Sequence, residues 1–162
     1  IYRRLVKKYP EAYESDLAMT LNNLASLYSD IQRYEESEQM YKEALGIYRR
    51  LSENNIDVYR TSMALVLCGM SFNCVLIGNY IQAEQYVRDG LSLDVTQTML
   101  YTNLASSLLL QGRYQEAEQI YVDYKAELFE DFLSDIIKFE ELNIIPEEHV
   151  AEVNKIKRML QE

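Results

Sequence analysis

Tyr34-Glu35-Glu36-Ser37-Glu38-Gln39-Met40-Tyr41 returns as Tyr114-Gln115-Glu116-Ala117-Glu118-Gln119-Ile120-Tyr121, 80 residues on. A diverged copy, Tyr80-Ile81-Gln82-Ala83-Glu84-Gln85-Tyr86-Val87, lies 46 residues after the first and 34 before the last. The likeness continues outward. Asn23-Leu24-Ala25-Ser26 recurs as Asn103-Leu104-Ala105-Ser106, again at 80, and Ile1-Tyr2-Arg3-Arg4-Leu5 recurs as Ile47-Tyr48-Arg49-Arg50-Leu51 at 46. Copies at consistent offsets are the signature of a repeat architecture, in which stacked neighbours bury what one unit cannot bury alone.

Each copy has one layout. Leu17, Leu21, Leu24, Ala25 and Tyr28 in the first, and Leu100, Tyr101, Leu104, Ala105 and Leu108 in the third, follow spacings of three and four. That is the stripe of an amphipathic helix. A short break follows at Gln32-Arg33, Gly78-Asn79 or Gln111-Gly112-Arg113. Gly78 and Gly112 suit a helix stop that needs positive φ. A second helix starts at the tyrosine and carries a small residue three further on, Ser37, Ala83 or Ala117, which lets two helices approach closely. Asp94 is placed to cap the third copy's first helix.

These residues resemble the tetratricopeptide repeat family, whose unit is a helix pair with this large-Leu-small-Tyr and Gly-x-Tyr pattern. The first copy supplies Leu21, Leu24, Ala25, Tyr28, Tyr34, Ser37, Tyr41 and Ala44, and the third supplies Tyr101, Leu104, Ala105, Leu108, Gly112, Tyr114, Ala117 and Tyr121. The second is weaker: Leu67, Met70, Ser71, Cys74, Gly78, Tyr80, Ala83, Val87 and Gly90. The departures are Gln32 in place of the turn glycine and Tyr124 where Ala44 and Gly90 stand. The longer spacing adds about one and a half turns to each helix of a pair. It is similar to the long repeats of kinesin light chains.

The expected fold is therefore all-α: a right-handed superhelical array of antiparallel helix pairs with a C-terminal capping helix. Helices are predicted near 1–9, 14–31, 34–53, 57–77, 80–92, 95–110, 114–142 and 147–160. The repeats are assigned to 1–125, as a partial unit at 1–9 and pairs at 14–53, 57–92 and 95–125. The cap is assigned to 126–162. In that tail Phe129, Phe132, Leu133, Ile136, Ile137 and Phe139 form one apolar stripe, so the helix begun at Tyr114 is expected to run on. Asn143-Ile144-Ile145-Pro146 breaks it, and Val150, Val153, Ile156, Met159 and Leu160 give a last helix one apolar face.

The chain has 162 residues, 48% hydrophobic and 26% charged, with 5 glycines and 2 prolines, which excludes collagen-like and Pro-rich chains. Sixteen basic against 26 acidic side chains give a net charge of −10, a field that repels nucleic acid. The excess is concentrated after residue 115, where 13 acids meet 5 bases. Either a solvated outer face of the cap or an acidic surface for a basic partner would use it. Arg3, Arg4, Lys7 and Lys8 read as a solvated helix end. No run of about 18 apolar residues points to membrane insertion. Cys68 and Cys74, six apart on one predicted helix, point away from each other and cannot bridge. Free thiols suit a reducing compartment, the cytoplasm first.

Nothing in the sequence assembles catalytic chemistry. His149, the single histidine, shares a helix face with Glu152, but two ligands do not make a catalytic zinc site, and it reads as a surface residue. No phosphate loop, nucleophile elbow or Cys-x-x-Cys occurs. Adjacent carboxylates such as Glu140-Glu141 diverge by about 100° on a helix and make poor acid–base pairs. No catalytic residue, metal ligand or cofactor is therefore expected. Most tyrosines fall at packing positions of the repeat.

The first helices of stacked pairs line the inner face of a solenoid. On that face the first copy offers Met19, Asn22, Asn23, Ser26 and Asp30. The second offers Leu65, Cys68, Gly69, Phe72, Val75 and Leu76, and the third Met99, Thr102, Asn103, Ser106, Leu109 and Leu110. The resemblance implies a groove for a peptide or partner helix, with Asn23 and Asn103 in the place of an asparagine that clamps a peptide backbone. A helix-to-helix hydrogen bond is the alternative use of either amide. The first helices carry almost no Lys or Arg, Arg60 being the exception, which disfavours a C-terminal carboxylate and favours an apolar or amide-rich ligand. The expected function is a non-catalytic protein-binding scaffold. The alternative is an assembly module that associates through exposed repeat ends.

Overall fold

The computed structural model describes residues 1–53 and 55–162. Its helices are α1 (Tyr2–Lys8), α2 (Pro10–Asp30), α3 (Tyr34–Ser52), α4 (Ile56–Leu76), α5 (Tyr80–Leu93), α6 (Met99–Leu110), α7 (Tyr114–Glu141) and α8 (Val150–Gln161), with a 3-10 turn at Glu147–His149. No strand occurs among the described residues. Successive helices pack on one another all along the chain, and first helices also touch first helices. The result is an all-α solenoid of helix pairs: α2 with α3, α4 with α5, and α6 with the first half of α7.

The pairs close because the sequence supplies a stop and a close approach. At each of the three turns the helix ends in a Schellman motif, a 6→1 bond outside a 5→2 bond. The 6→1 bonds run from Arg33 N–H to the Tyr28 carbonyl (2.8 Å), Asn79 to Cys74 (2.8 Å) and Arg113 to Leu108 (2.9 Å). The residue inside each has positive φ: Gln32 at 59°, Gly78 at 80° and Gly112 at 77°. Ser37, Ala83 and Ala117 are all fully buried where the helices cross. The Ser37 hydroxyl donates to the Ala25 carbonyl on the facing helix (2.7 Å).

Three expectations shift. α2 begins at Pro10, because proline suits a first helical turn and forces the residue before it out of the helix; Tyr9 sits at φ −142°, ψ 69°. α6 begins at Met99, not 95. Asp94 accepts from the Thr96 backbone N–H (3.0 Å) and hydroxyl (2.6 Å), and from the Thr61 hydroxyl (2.7 Å), so it fixes a turn ahead of the helix. α7 does not run on straight: Leu128 leaves helical geometry at φ −116°, ψ 17°. Tyr121 and Phe132 consequently meet edge to face with ring centroids 4.7 Å apart. Eleven residues of straight helix would separate them by about 16 Å.

The second half of α7 and α8 thus form a fourth pair. Its turn repeats the same cap, with Ile144 N–H bonded to the Phe139 carbonyl (3.1 Å) and Asn143 at φ 53°. α8 runs beside the first half of α7: His149 Nδ1 lies 2.6 Å from the Tyr114 hydroxyl, and Lys155 donates to Glu118 at 2.9 Å. His149, expected at the surface, is half-buried in this contact. By length and composition α4 is long and apolar enough to cross a membrane, and half of its most apolar stretch is buried within the protein.

Candidate functional site

The inner face is built from α2, α4 and α6, with the second half of α7 laid against it. Equivalent positions allow the pairs to be compared directly. Met19, Leu65 and Met99 are one such row and stay open in all three pairs, 52%, 47% and 44% exposed. A row of large apolar side chains at that exposure is not covered by anything the described residues provide.

One turn further along, the rows change from pair to pair. Asn22 and Cys68 are half-buried, and Thr102 is buried. Asn23 is exposed, Gly69 is half-buried and Asn103 is 3% exposed. Ser26 is exposed, Phe72 is half-buried and Ser106 is 1% exposed. A uniform solenoid would repeat its exposure along with its sequence. Here the face closes toward the C-terminal pair. The ten residues singled out from the sequence therefore do not form one continuous open surface. Asn22, Asn23, Ser26 and Met99 border open space or are partly open, whereas Thr102, Asn103 and Ser106 lie under other helices.

The Asn103 amide donates to the Ser71 hydroxyl (2.7 Å) and to the Cys68 carbonyl (2.9 Å), joining α6 to α4. Of its two possible uses, the helix-to-helix bond is the one present. Asn73 serves the preceding pair in the same way, donating to Ser37 (2.7 Å) and accepting from Ser29 (2.6 Å). Gly69 has a packing role, since a Cβ there would run into the Tyr41 ring of α3. Burial pushes the Tyr41 hydroxyl up to about 12, and the Cys68 thiol likewise to about 12, so both stay neutral.

The cover over the face comes from three residues near the end of α7. Phe139 packs its ring 6.3 Å from that of Phe72. Lys138 places its ammonium 4.9 Å above the Phe72 ring and 3.9 Å from Asp30 on α2. Asp135 lies beside Thr102 and Cys68. Sequence reasoning assigned this apolar stripe to a cap and did not place it across the inner face. The spacing 32, 78, 112, 143 of the positive-φ stops was the available signal.

A second concavity, about 760 Å³, lies between α3 and α5 above α4, lined by Tyr34, Glu38, Lys42, Met70, Cys74 and Tyr86 among others. Among the described residues no three His, Cys, Asp or Glu side chains converge in a way that could hold a metal ion. Chemically, both concavities offer contact area and amide or carbonyl hydrogen bonds.

An all-α repeat solenoid with an open inner row is the architecture of a protein-interaction scaffold. The family model for the tetratricopeptide repeat matches residues 17–55 and 98–123, the first and third copies, and these segments are similar to that family. Tetratricopeptide repeats mediate protein–protein interactions and are non-catalytic scaffolds as a family. No curated protein sequence matches the chain.

Proposed function

We propose that this chain is a non-catalytic scaffold whose inner face grips an apolar peptide or an amphipathic helix of a partner protein. The observation that carries the reading is the even row Met19, Leu65 and Met99, about half exposed in each of three stacked pairs. Long flexible methionines at two of the three positions can repack around different apolar side chains. Asn23 and Ser26 stand exposed one and two turns along α2 and supply amide and hydroxyl groups to a bound backbone. In the same reading, residues 1–125 form the binding array and 126–162 close its C-terminal end.

The test is a screen of displayed amphipathic helical peptides against the immobilised chain, followed by titration of any hit. Met19→Lys with Leu65→Lys should weaken a groove ligand by at least about tenfold, since two charges would have to be buried beneath it. Unchanged affinity in that double variant would place the ligand elsewhere. Light scattering on the same samples addresses self-association: a concentration-independent monomer removes the assembly alternative.

A further inference from the structure

The inner face carries a piece of its own chain, and the seam between the two is unlike the rest of the core. Phe132, Ile136 and Phe139 seat residues 129–141 with almost no exposure. Yet two buried polar atoms at this seam, Oδ2 of Asp135 and the Tyr121 hydroxyl, have no hydrogen-bond partner. Thr102, beside Asp135, spends its proton on the Met99 carbonyl at 2.8 Å. Unpaired buried polar groups cost free energy that opening to water returns. The segment also has a hinge at its near end, the non-helical Leu128, and a surface latch at its far end, Lys138 against Asp30.

We propose that residues 129–141 are a releasable cover, which swings about Leu128 and exposes a floor of Cys68, Thr102 and Ser106 to an incoming partner helix. The identity of that occupant rests on the function proposed above; the opening itself does not. Elements that open to admit a partner are drawn from the low-stability end of a protein's local unfolding spectrum. Asp135 biases the equilibrium. It faces Asp131 and Lys138 of its own helix, Tyr121 of the preceding half of α7, Cys68 of α4 and Thr102 of α6. Burial, opposed by Lys138 and seconded by Asp131, pushes its carboxyl up to about 7. The closed state therefore holds a proton that the open state releases. Closure is strongest at acid pH, weakens as pH rises from the ordinary carboxylate range to about 7, and levels off above.

Cys68 reports the opening directly, because its thiol lies beneath the segment. The experiment is iodoacetamide labelling of the whole chain carrying Cys74→Ser, each rate divided by that of the same protein unfolded in urea at the same pH. The normalised rate should climb with pH by up to about tenfold per unit below 7 and then flatten. Asp135→Asn should abolish that climb. Lys138→Ala removes both the latch to Asp30 and the cation that faces Asp135; it should raise labelling by about threefold or more at every pH, most where Asp135 is charged, and keeps the test alive if Asp135→Asn does not fold. The urea dependence of labelling should be much shallower than that of global unfolding followed by circular dichroism. Labelling that tracks global unfolding, or a pH profile indifferent to Asp135→Asn, overturns the cover. No partner is used, so this result and the docking result fail independently.

Discussion

Asn23-Leu24-Ala25-Ser26 and Asn103-Leu104-Ala105-Ser106 are the same four letters in the first and third pairs, and they live in different surroundings. Ala25 and Ala105 are both fully buried, because each sits where its helix crosses its partner. The asparagine and serine part company: Asn23 and Ser26 face solvent, while Asn103 and Ser106 are buried. A repeat motif fixes contacts made within a pair. Contacts between pairs depend on what is stacked next: the second half of α7 lies over the third pair and reaches Phe72 of the second and Asp30 of the first, but leaves Asn23 and Ser26 open.

The largest effect should come from removing an anchor of that cover. Phe132 is 1% exposed and meets the Tyr121 ring edge to face. Phe132→Ala should cost about 3–5 kcal/mol in urea unfolding, the range for a truncated core aromatic. Ser26→Ala, at an exposed position of the first pair, should stay within about 0.5 kcal/mol. Similar costs for both would erase the distinction between the two ends of the inner face.

Next comes the asparagine pair itself. Asn103→Ala strips the donor from the Ser71 hydroxyl and Cys68 carbonyl inside the array, and should cost about 1–3 kcal/mol. Asn23→Ala should be near neutral for stability and show its effect, if the proposed function holds, only on partner affinity. Chemical denaturation of the two variants side by side reads this out. A large stability loss at Asn23 would show that the exposed amide is structural after all.

The contrast also marks how far the sequence could be read. The three pairs, their turns and their small crossing residues were legible because each is written in letters that recur. The fourth pair was not, because it carries the repeat's geometry without its letters. Asn143 takes the left-handed position that Gly78 and Gly112 hold, and Leu128 makes the bend with no glycine or proline to announce it. The burial of Thr102 and Ser106 follows from that unseen bend. Asp94 misled by one turn, since a capping side chain and a turn-forming one look alike until their donors are known.

A smaller effect separates two carboxylates with opposite fates. Burial works against the charge on Glu84, but hydrogen bonds from Arg88, Gln111 and Arg113 outweigh it and hold the carboxyl down at about 2. Its stabilisation, which joins α5 to the turn after α6, is complete above the ordinary glutamate range and is lost as pH falls toward 2. Glu84→Gln should therefore cost about 1 kcal/mol at pH 7, with the difference vanishing on acidification. Asp135 runs the other way, losing stabilisation as pH rises toward 7. Urea midpoints across pH for Glu84→Gln and Asp135→Asn should diverge on opposite sides; parallel curves would mean that one of the two environments is misassigned.

The smallest effect lies in the turns. All four stops use a left-handed residue, but only Gly78 and Gly112 reach it without a Cβ, and asparagine tolerates it at Asn143. Gln32, at φ 59°, carries the strain alone. Gln32→Gly removes about 1 kcal/mol of it and returns some as extra freedom of the unfolded chain, so a net gain of about 0.5 kcal/mol is expected. Gly112→Ala should lose at least as much, because φ is 77° there and the new methyl would also press on His149 at 3.4 Å. Thermal unfolding resolves differences of this size. If Gln32→Gly loses stability instead, the glutamine side chain must be holding the first turn through contacts that outweigh its backbone, and the first pair would then owe its closure to a different interaction from the other three.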